Sequence, residues 1–174
     1  MKKVYKVLRG VMALILIGIG LAGTYLKVFL PDVGQPRPKP AENDRVAYGA
    51  YIINASGCVD CHSKVDEKGV LIKGSEFGGG REFGQPAGII RSPNITFDRE
   101  SGIGHWTKEM FVQRFKAYAD SSYASPKLTP TDLNSPMPWL MYSGMKNEDL
   151  EAIYAYLQSL KPIHNQVSRA EKAR

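Results

Sequence analysis

The folded part of the sequence lacks an excess of charge, and the composition excludes several protein classes. The 174 residues are 43% hydrophobic and 23% charged, which excludes a disordered or collagen-like chain and allows one domain with short additional segments. The formal charge of +6 arises in residues 1–40, which hold seven Lys/Arg and one Asp, whereas residues 41–174 hold sixteen of each sign. A nucleic-acid-binding domain carries a basic face, so a nucleic-acid partner is excluded.

Cysteine and histidine are scarce, with two and three copies respectively. Both cysteines fall in one short motif, Cys58-Val59-Asp60-Cys61, and His62 follows at once. A zinc site would need four ligands, and a thioredoxin-like pair belongs in a βαβ context that the sequence lacks. The C-x-x-C-H spacing instead predicts one covalently attached haem c. In such a motif the two thiols add to the porphyrin vinyl groups and the imidazole binds the iron.

One long uncharged run lies near the N-terminus, over residues 10–26, and continues past Lys27 to residue 30. A bilayer core about 30 Å thick needs about 20 apolar residues, so the run predicts a transmembrane anchor over residues 10–30. Four Lys/Arg in residues 1–9 predict a cytoplasmic N-terminus and an exported remainder. The alternative is a cleaved signal peptide, for which Leu21–Gly23 is a poor cleavage site. The segment has no Cys, which excludes a lipid-anchored cysteine.

The rest of the chain divides into a linker, a domain and a tail. Residues 31–40 contain four prolines and predict a semi-rigid spacer, residues 41–163 are the predicted domain, and residues 164–174 are a polar tail. Apolar spacing and capping residues predict three helices, over residues 41–56, 107–118 and 147–160. Between residues 64 and 105 the chain is rich in Gly and Pro and shows no convincing strand alternation. The predicted fold class is therefore all-α, with long loops that wrap a cofactor.

Haem iron in electron carriers usually has a second axial ligand, Met or His. Met137 is favoured, because Pro136 and Pro138 fix its backbone outside any regular helix and such a loop can hold a weak thioether against iron. Met110 lies in an amphipathic stretch and is expected to fill the core. The candidates that stay open beside Met137 are Met110, Met141, Met145 and His105. His164, beyond the last helix, is expected to be a surface residue.

The order of these motifs resembles class I cytochromes c. The resemblance rests on Gly49-x-Tyr51, the C-x-x-C-H motif, Met137-Pro138, and the segments 147–150 and 155–157 of the last helix. It implies the class I cytochrome c fold, in which the first and last helices cross and a glycine faces an aromatic residue, here Gly49 and Tyr156 or Tyr154. It further implies that Cys58 and Cys61 hold the haem. His62 and Met137 would then be its proximal and distal ligands.

More narrowly, residues 41–163 resemble the haem domains of cytochrome subunits that serve membrane-bound alcohol, aldehyde and related dehydrogenases. The likeness is carried by Asn94-Ile95-Thr96 and by Gly102-Ile103-Gly104-His105-Trp106-Thr107. Those subunits commonly carry three haem domains, whereas this chain has one, and a smaller residue usually stands in place of His105. The resemblance implies that Asn94 and Trp106 lie near the haem propionates and that Arg91 offers a cation to offset propionate charge.

The function expected from the sequence is that of a membrane-anchored, monohaem electron carrier. It would sit in the bacterial cytoplasmic membrane by a single pass, with the haem domain in the periplasm or on the outer face, and would exchange electrons with redox protein partners. With both axial positions filled it would not be an enzyme on its own. The alternatives are a dedicated cytochrome subunit of a larger complex, and a haem-based gas sensor or peroxidase with a labile distal ligand.

Overall fold

The computed structural model describes residues 5, 10–13, 15–20, 38–119 and 132–173. Two units can be distinguished, residues 1–38 and residues 39–174. In chain order the second unit contains α1 (Arg45–Ala55), α2 (Cys58–Cys61), β1 (Glu82–Gln85), β2 (Gly88–Arg91), α3 (Lys108–Lys116), α4 (Trp139–Ser143), α5 (Asn147–Ser159) and β3 (Ala170–Lys172).

Helices α1 and α5 pack against each other in the second unit. Asp44 begins α1, because its side chain accepts a hydrogen bond from the backbone N–H of Ala47 at 3.0 Å. A side chain at Gly49 would place its Cβ 1.9 Å from the carbonyl oxygen of Ala152 and 2.9 Å from Cβ of Tyr156. The predicted crossing of a glycine and an aromatic residue is therefore confirmed, with Tyr156 as the partner.

The apolar faces of α3 and α5 complete the core. The side chain of Thr107 accepts a hydrogen bond from the backbone N–H of Met110 at 3.2 Å, which confirms the predicted start of α3. On α5, Leu150, Ile153 and Leu157 are buried, with Leu150 and Leu157 fully inaccessible. Met110 is 52% exposed, so the expectation that it fills the core is wrong.

The predicted all-α fold class is wrong, because the second unit contains a three-stranded antiparallel sheet in the order β1-β2-β3. Strands β1 and β2 form a hairpin in which Gln85 pairs with Gly88, and β3 pairs with β2 so that Ala170 faces Ile90. The strands are three or four residues long, too short to show an alternating pattern. The pairing of β1 with β2 is local, the pairing of β3 with β2 joins segments distant in sequence, and no local periodicity signals either of them.

The fold class also included a transmembrane helix over residues 10–30, and this part is corrected as well. Residues 10–13 and 15–20 are helical, while residues 14 and 21–30 lie outside the described residues. A helix that spans a bilayer needs about 20 apolar residues. Within the described ranges, no helix reaches the length and apolar character needed to cross a membrane.

Candidate haem site

The two cysteines lie on α2, a single helical turn that follows α1 directly. Gly57 allows the tight junction, since its φ of 64° lies in the left-handed region. Cys58 and Cys61 are three residues apart, and such residues lie on the same face of a helical turn. Both thiols are free, with Cys58 half-buried and Cys61 exposed. Burial raises the pKa of Cys58 to about 11, so its thiol stays protonated near neutral pH.

His62 ends this turn with its imidazole turned inward, only 7% exposed. Its Nδ1–H donates to the carbonyl oxygen of Pro93 at 3.0 Å, which leaves the lone pair of Nε2 for a metal. Burial lowers the pKa of His62, the Pro93 carbonyl opposes that shift, and the positive charge of Arg169 adds to it. The ring is therefore a neutral imidazole, the form that binds iron.

The Pro93 carbonyl is held in place by a close backbone contact. Gly79 has a φ of 72°, and a Cβ there would lie 2.4 Å from the carbonyl carbon of Pro93. The same glycine donates its N–H to the carbonyl oxygen of His62 at 2.7 Å. One glycine thus joins the backbone of the histidine to the backbone of its hydrogen-bond acceptor, which fixes the orientation of the imidazole ring.

A cavity of about 580 Å³ opens beside His62, large enough for a cofactor. Cys58, His62 and Met137 all line it, and they also line a smaller cavity of about 60 Å³ that Cys61 adjoins. The walls of the larger cavity include the apolar side chains of Ile53, Ile103, Phe111, Ile153 and Leu157. Two thiols, an imidazole and a thioether around one apolar space are the donor set that a covalent haem requires, so these residues fit that group.

Met137 lies in a loop whose conformation is set by its neighbours. Its backbone N–H donates to Oγ of Ser135 at 3.3 Å, and its carbonyl oxygen accepts from the N–H of Trp139 at 2.8 Å. Trp139 is anchored by stacking on Tyr118, with ring centroids 4.9 Å apart, and by the Arg114 guanidinium 4.5 Å from its ring centroid. The half-buried Met137 side chain therefore lines the cavity from a loop that hydrogen bonds and the contacts of Trp139 hold in place.

The competing ligand candidates are placed differently. Met141 is 67% exposed, His105 is exposed, and neither lines the cavity. His164 is on the surface as expected, with Nδ1 3.3 Å from a carboxylate oxygen of Asp98. Met145 lines the cavity together with Met137, so these two are the methionines that face it among the described residues.

Asn94 and Trp106 both line the cavity, but they differ in what their polar atoms do. The Asn94 amide is fully used: Nδ2 donates to Oγ of Ser101 at 3.0 Å and to the carbonyl oxygen of Ile163 at 2.7 Å, and Oδ1 accepts two hydrogen bonds from Thr96. Within the described residues the indole N–H of Trp106 has no hydrogen-bond partner. A propionate contact therefore remains a prediction for both, and the free donor favours Trp106.

Arg169 is a second cation beside the site, in addition to the predicted Arg91. The Arg91 guanidinium is bound by Glu82 at 2.7 Å and by Glu171 at 3.1 Å, so its charge is already balanced within the sheet. Arg169 lines both cavities, and its side chain makes no ion pair or hydrogen bond in the part of the chain that the structure describes. The predicted role of Arg91 stays untested, but Arg169 is the cation with free donors.

The sequence reasoning missed Pro93 and Arg169. Any residue type can supply a backbone carbonyl to a histidine, so the sequence contains no signal for the role of Pro93. Arg169 lies in residues read as a polar tail, and it reaches the cavity because β3 pairs with β2 just beyond it. Only the pairing of distant segments reveals its position.

The helical turn with two thiols, the buried imidazole and the apolar cavity define a protein that holds a covalently attached haem. Residues 46–161 match the family profile described as cytochrome c, and the chain belongs to the cytochrome c family. Membership of this family implies covalently bound haem c, the cofactor with which cytochromes c carry electrons.

Several curated proteins are similar to this chain. The cytochrome c subunit of a quinone alcohol dehydrogenase from Gluconacetobacter polyoxogenes is 32% identical over 124 residues, 71% of this chain and 24% of the relative. The fructose dehydrogenase cytochrome subunit of Gluconobacter japonicus is 30% identical, covering 82% of this chain and 26% of the relative. The gluconate 2-dehydrogenase cytochrome c subunit of Pantoea cypripedii is 32% identical, covering 71% and 25%. The chain spans about a quarter of the length of these relatives.

Proposed function

We propose that this chain is a monohaem cytochrome c that passes single electrons between redox protein partners, with Cys58 and Cys61 as attachment sites. His62 and Met137 would be the two axial ligands. The observation that carries the proposal is the apolar cavity lined by Cys58, His62 and Met137 together. The chain has two cysteines and one C-x-x-C-H motif, which supports a single haem.

Haem bound in this cavity would supply a reversible one-electron change at its iron. The chain's own residues then set the conditions of that change. The hydrogen bond from His62 to Pro93 fixes the imidazole ring, and the braced loop carries the Met137 thioether. The apolar side chains of the cavity would lower the dielectric around the haem, and a low dielectric disfavours the more highly charged oxidised state. If both His62 and Met137 bind the iron, the haem would offer no free position to a substrate.

We further propose that the protein works in association with the bacterial cytoplasmic membrane, on its exported side, as a partner of a dehydrogenase. Four Lys/Arg in residues 1–9 ahead of an uncharged run support export. The relatives are named as cytochrome subunits of alcohol, fructose and gluconate dehydrogenases, which supports a dehydrogenase as donor. Protease accessibility in spheroplasts tests the location, and a domain protected from protease would contradict it.

The ligand assignment is tested with protein from a host that attaches haem. The proposal predicts one porphyrin mass on the chain and, in the oxidised protein, a weak far-red sulfur-to-iron absorption band. Met137→Ala should abolish that band and open the reduced iron to carbon monoxide. Met141→Ala is the matched control, because that side chain is exposed and away from the cavity. A band that survives Met137→Ala would contradict the assignment, and Met145→Ala would then identify the alternative.

A dedicated subunit of a larger complex is favoured over a freely exchanging carrier by the relatives, each of which is named as a subunit. The two are separated by mild detergent extraction from native membranes followed by identification of the chains that copurify. A dehydrogenase catalytic subunit recovered in stoichiometric amount supports the subunit. A chain that is recovered alone, yet is reduced by a separate dehydrogenase, supports the freely exchanging carrier.

A further inference from the structure

Residues 133–138 approach the hairpin of β1 and β2, and one side chain spans the gap. Nε2 of Gln85 donates to the carbonyl oxygen of Asn134 at 2.5 Å, and the backbone N–H of Asn134 donates to Oε1 of Gln85 at 2.8 Å. The amide of a single side chain thus satisfies both backbone groups of one residue, as a neighbouring strand would.

These two hydrogen bonds hold the N-terminal part of residues 133–138, and α4 follows at their C-terminal end. Apart from the bonds that lead into α4, Gln85 makes the only hydrogen bonds between residues 133–138 and another element in the described parts of the chain. The loop leads from Asn134 through Ser135 and Pro136 to Met137. Proline restricts both its own φ and the residue before it, so few backbone rotations separate the clamped residue from the methionine.

The hairpin that carries Gln85 is itself held by backbone hydrogen bonds. Gln85 ends β1 and pairs with Gly88 across the hairpin, and the carbonyl oxygen of the intervening Ala87 accepts from the N–H of Ala173 at 2.9 Å. The hairpin also reaches the haem motif, since Phe83 and Ile90 line the same small cavity as His62 and Met137. The hairpin therefore lies beside both predicted iron ligands, His62 and Met137.

We propose that Gln85 is a positioning residue for the distal ligand, which clamps the backbone of Asn134 so that the Met137 thioether stays on the cavity wall. This inference rests on the proposed function, because it requires Met137 to be an iron ligand. Loss of the clamp removes both hydrogen bonds that Gln85 makes to the backbone of this loop. The fraction of protein with a detached methionine should then rise about tenfold, which is the effect of losing two hydrogen bonds of ordinary net strength.

The experiment compares haem-loaded Gln85→Ala with the unmodified protein, by the far-red band and by the rate of carbon monoxide binding to the reduced form. We expect a weaker band and binding about ten times faster. Asn134→Ala is the matched control, because only the backbone of Asn134 takes part and both hydrogen bonds survive. Gln85→Glu keeps the acceptor but loses the donor, and should give an intermediate rate.

The outcomes separate the clamp from the ligand assignment. If Met137→Ala loses the band while Gln85→Ala binds carbon monoxide at the unmodified rate, the clamp is wrong and the proposed function stands. If Met137→Ala keeps the band, both are overturned. If Gln85→Ala does not accumulate as haem protein, Gln85→Asn decides, since its side chain is one methylene too short to reach. Unmodified band and rate in Gln85→Asn would overturn the clamp.

Discussion

Gly49 touches the backbone of Ala152 so closely that a Cβ on Gly49 would lie 1.9 Å from the carbonyl oxygen of Ala152. This contact sets the spacing of α1 and α5, and α2 with its two thiols follows α1 directly. A methyl group at this point cannot be accommodated by moving a flexible side chain, because the obstacle is backbone. The crossing of the two helices must therefore open if any side chain is added.

We expect Gly49→Ala to lower the free energy of unfolding of the haem protein by about 3 kcal/mol, because overpacking a helix contact forces the backbones apart. Chemical denaturation followed by circular dichroism measures it. Gly144→Ala is the control: a Cβ at Gly144 would lie 3.5 Å from the nearest atom, the Met141 carbonyl oxygen, an ordinary contact distance. Equal stability of the two variants would contradict the crossing.

Protein that cannot attach haem should not hold this fold. The cavity measures about 580 Å³. Without the cofactor, apolar side chains such as Ile53, Phe111 and Leu157 would line an open space instead of packing on a porphyrin, and the fold would lose the stabilisation that comes from their burial. We expect Cys58→Ala/Cys61→Ala to lose most of its helical circular dichroism and its cooperative thermal transition. A cooperative transition near that of the haem protein would show that the cavity closes without the cofactor.

The free cation at the cavity should raise the reduction potential. Arg169 lines both cavities, and a positive charge near the iron disfavours the oxidised state. We expect Arg169→Gln to lower the potential by tens of millivolts at low salt, and by less at high salt because Arg169 is exposed. Arg99→Gln, exposed and away from the cavities, is the control and should leave the potential unchanged. An identical shift in both variants would argue against a local effect.

Asn94 should matter more to stability than to redox chemistry. Its amide joins Ser101, Thr96 and the carbonyl oxygen of Ile163 while being only 3% exposed. We expect Asn94→Ala to cost about 3 kcal/mol of unfolding free energy, since it removes several hydrogen bonds and strands buried polar groups. Asn54→Ala, which removes one exposed bond to Ala50, should cost less than about 1 kcal/mol. A large potential shift with unchanged stability would favour the propionate role.

Helices α1, α3 and α5 were predictable because their signals are local, whereas the short helices α2 and α4 were not predicted. The cap at Thr107 and the spacing of Leu150, Ile153 and Leu157 follow from the helical repeat, and the structure confirms both. The sequence pattern predicts Asn147 as the N-cap of the last helix, whereas Lys146 is the N-cap in the structure, and it begins the first helix at residue 41, four residues before Arg45. Capping patterns fix helix ends only approximately.

The sheet and the second layer of the site were not predictable, because they depend on contacts between distant segments. Pairing of β2 with residues 170–172 has no counterpart in local periodicity. The partners of His62 and Asn134 are backbone groups or a side-chain amide brought near by folding. The motif and Met137 were found from spacing and chemistry alone, and their roles in binding haem stay predictions.

Strand β3 lies far downstream of the cysteine motif, yet it pairs with β2 beside the cavity. In the closed fold the Cys58 thiol has a pKa of about 11, so little of the nucleophilic thiolate exists there. We therefore expect the thioether bond at Cys58 to form more readily while that thiol is still exposed to water than in the closed fold, where its burial keeps it protonated.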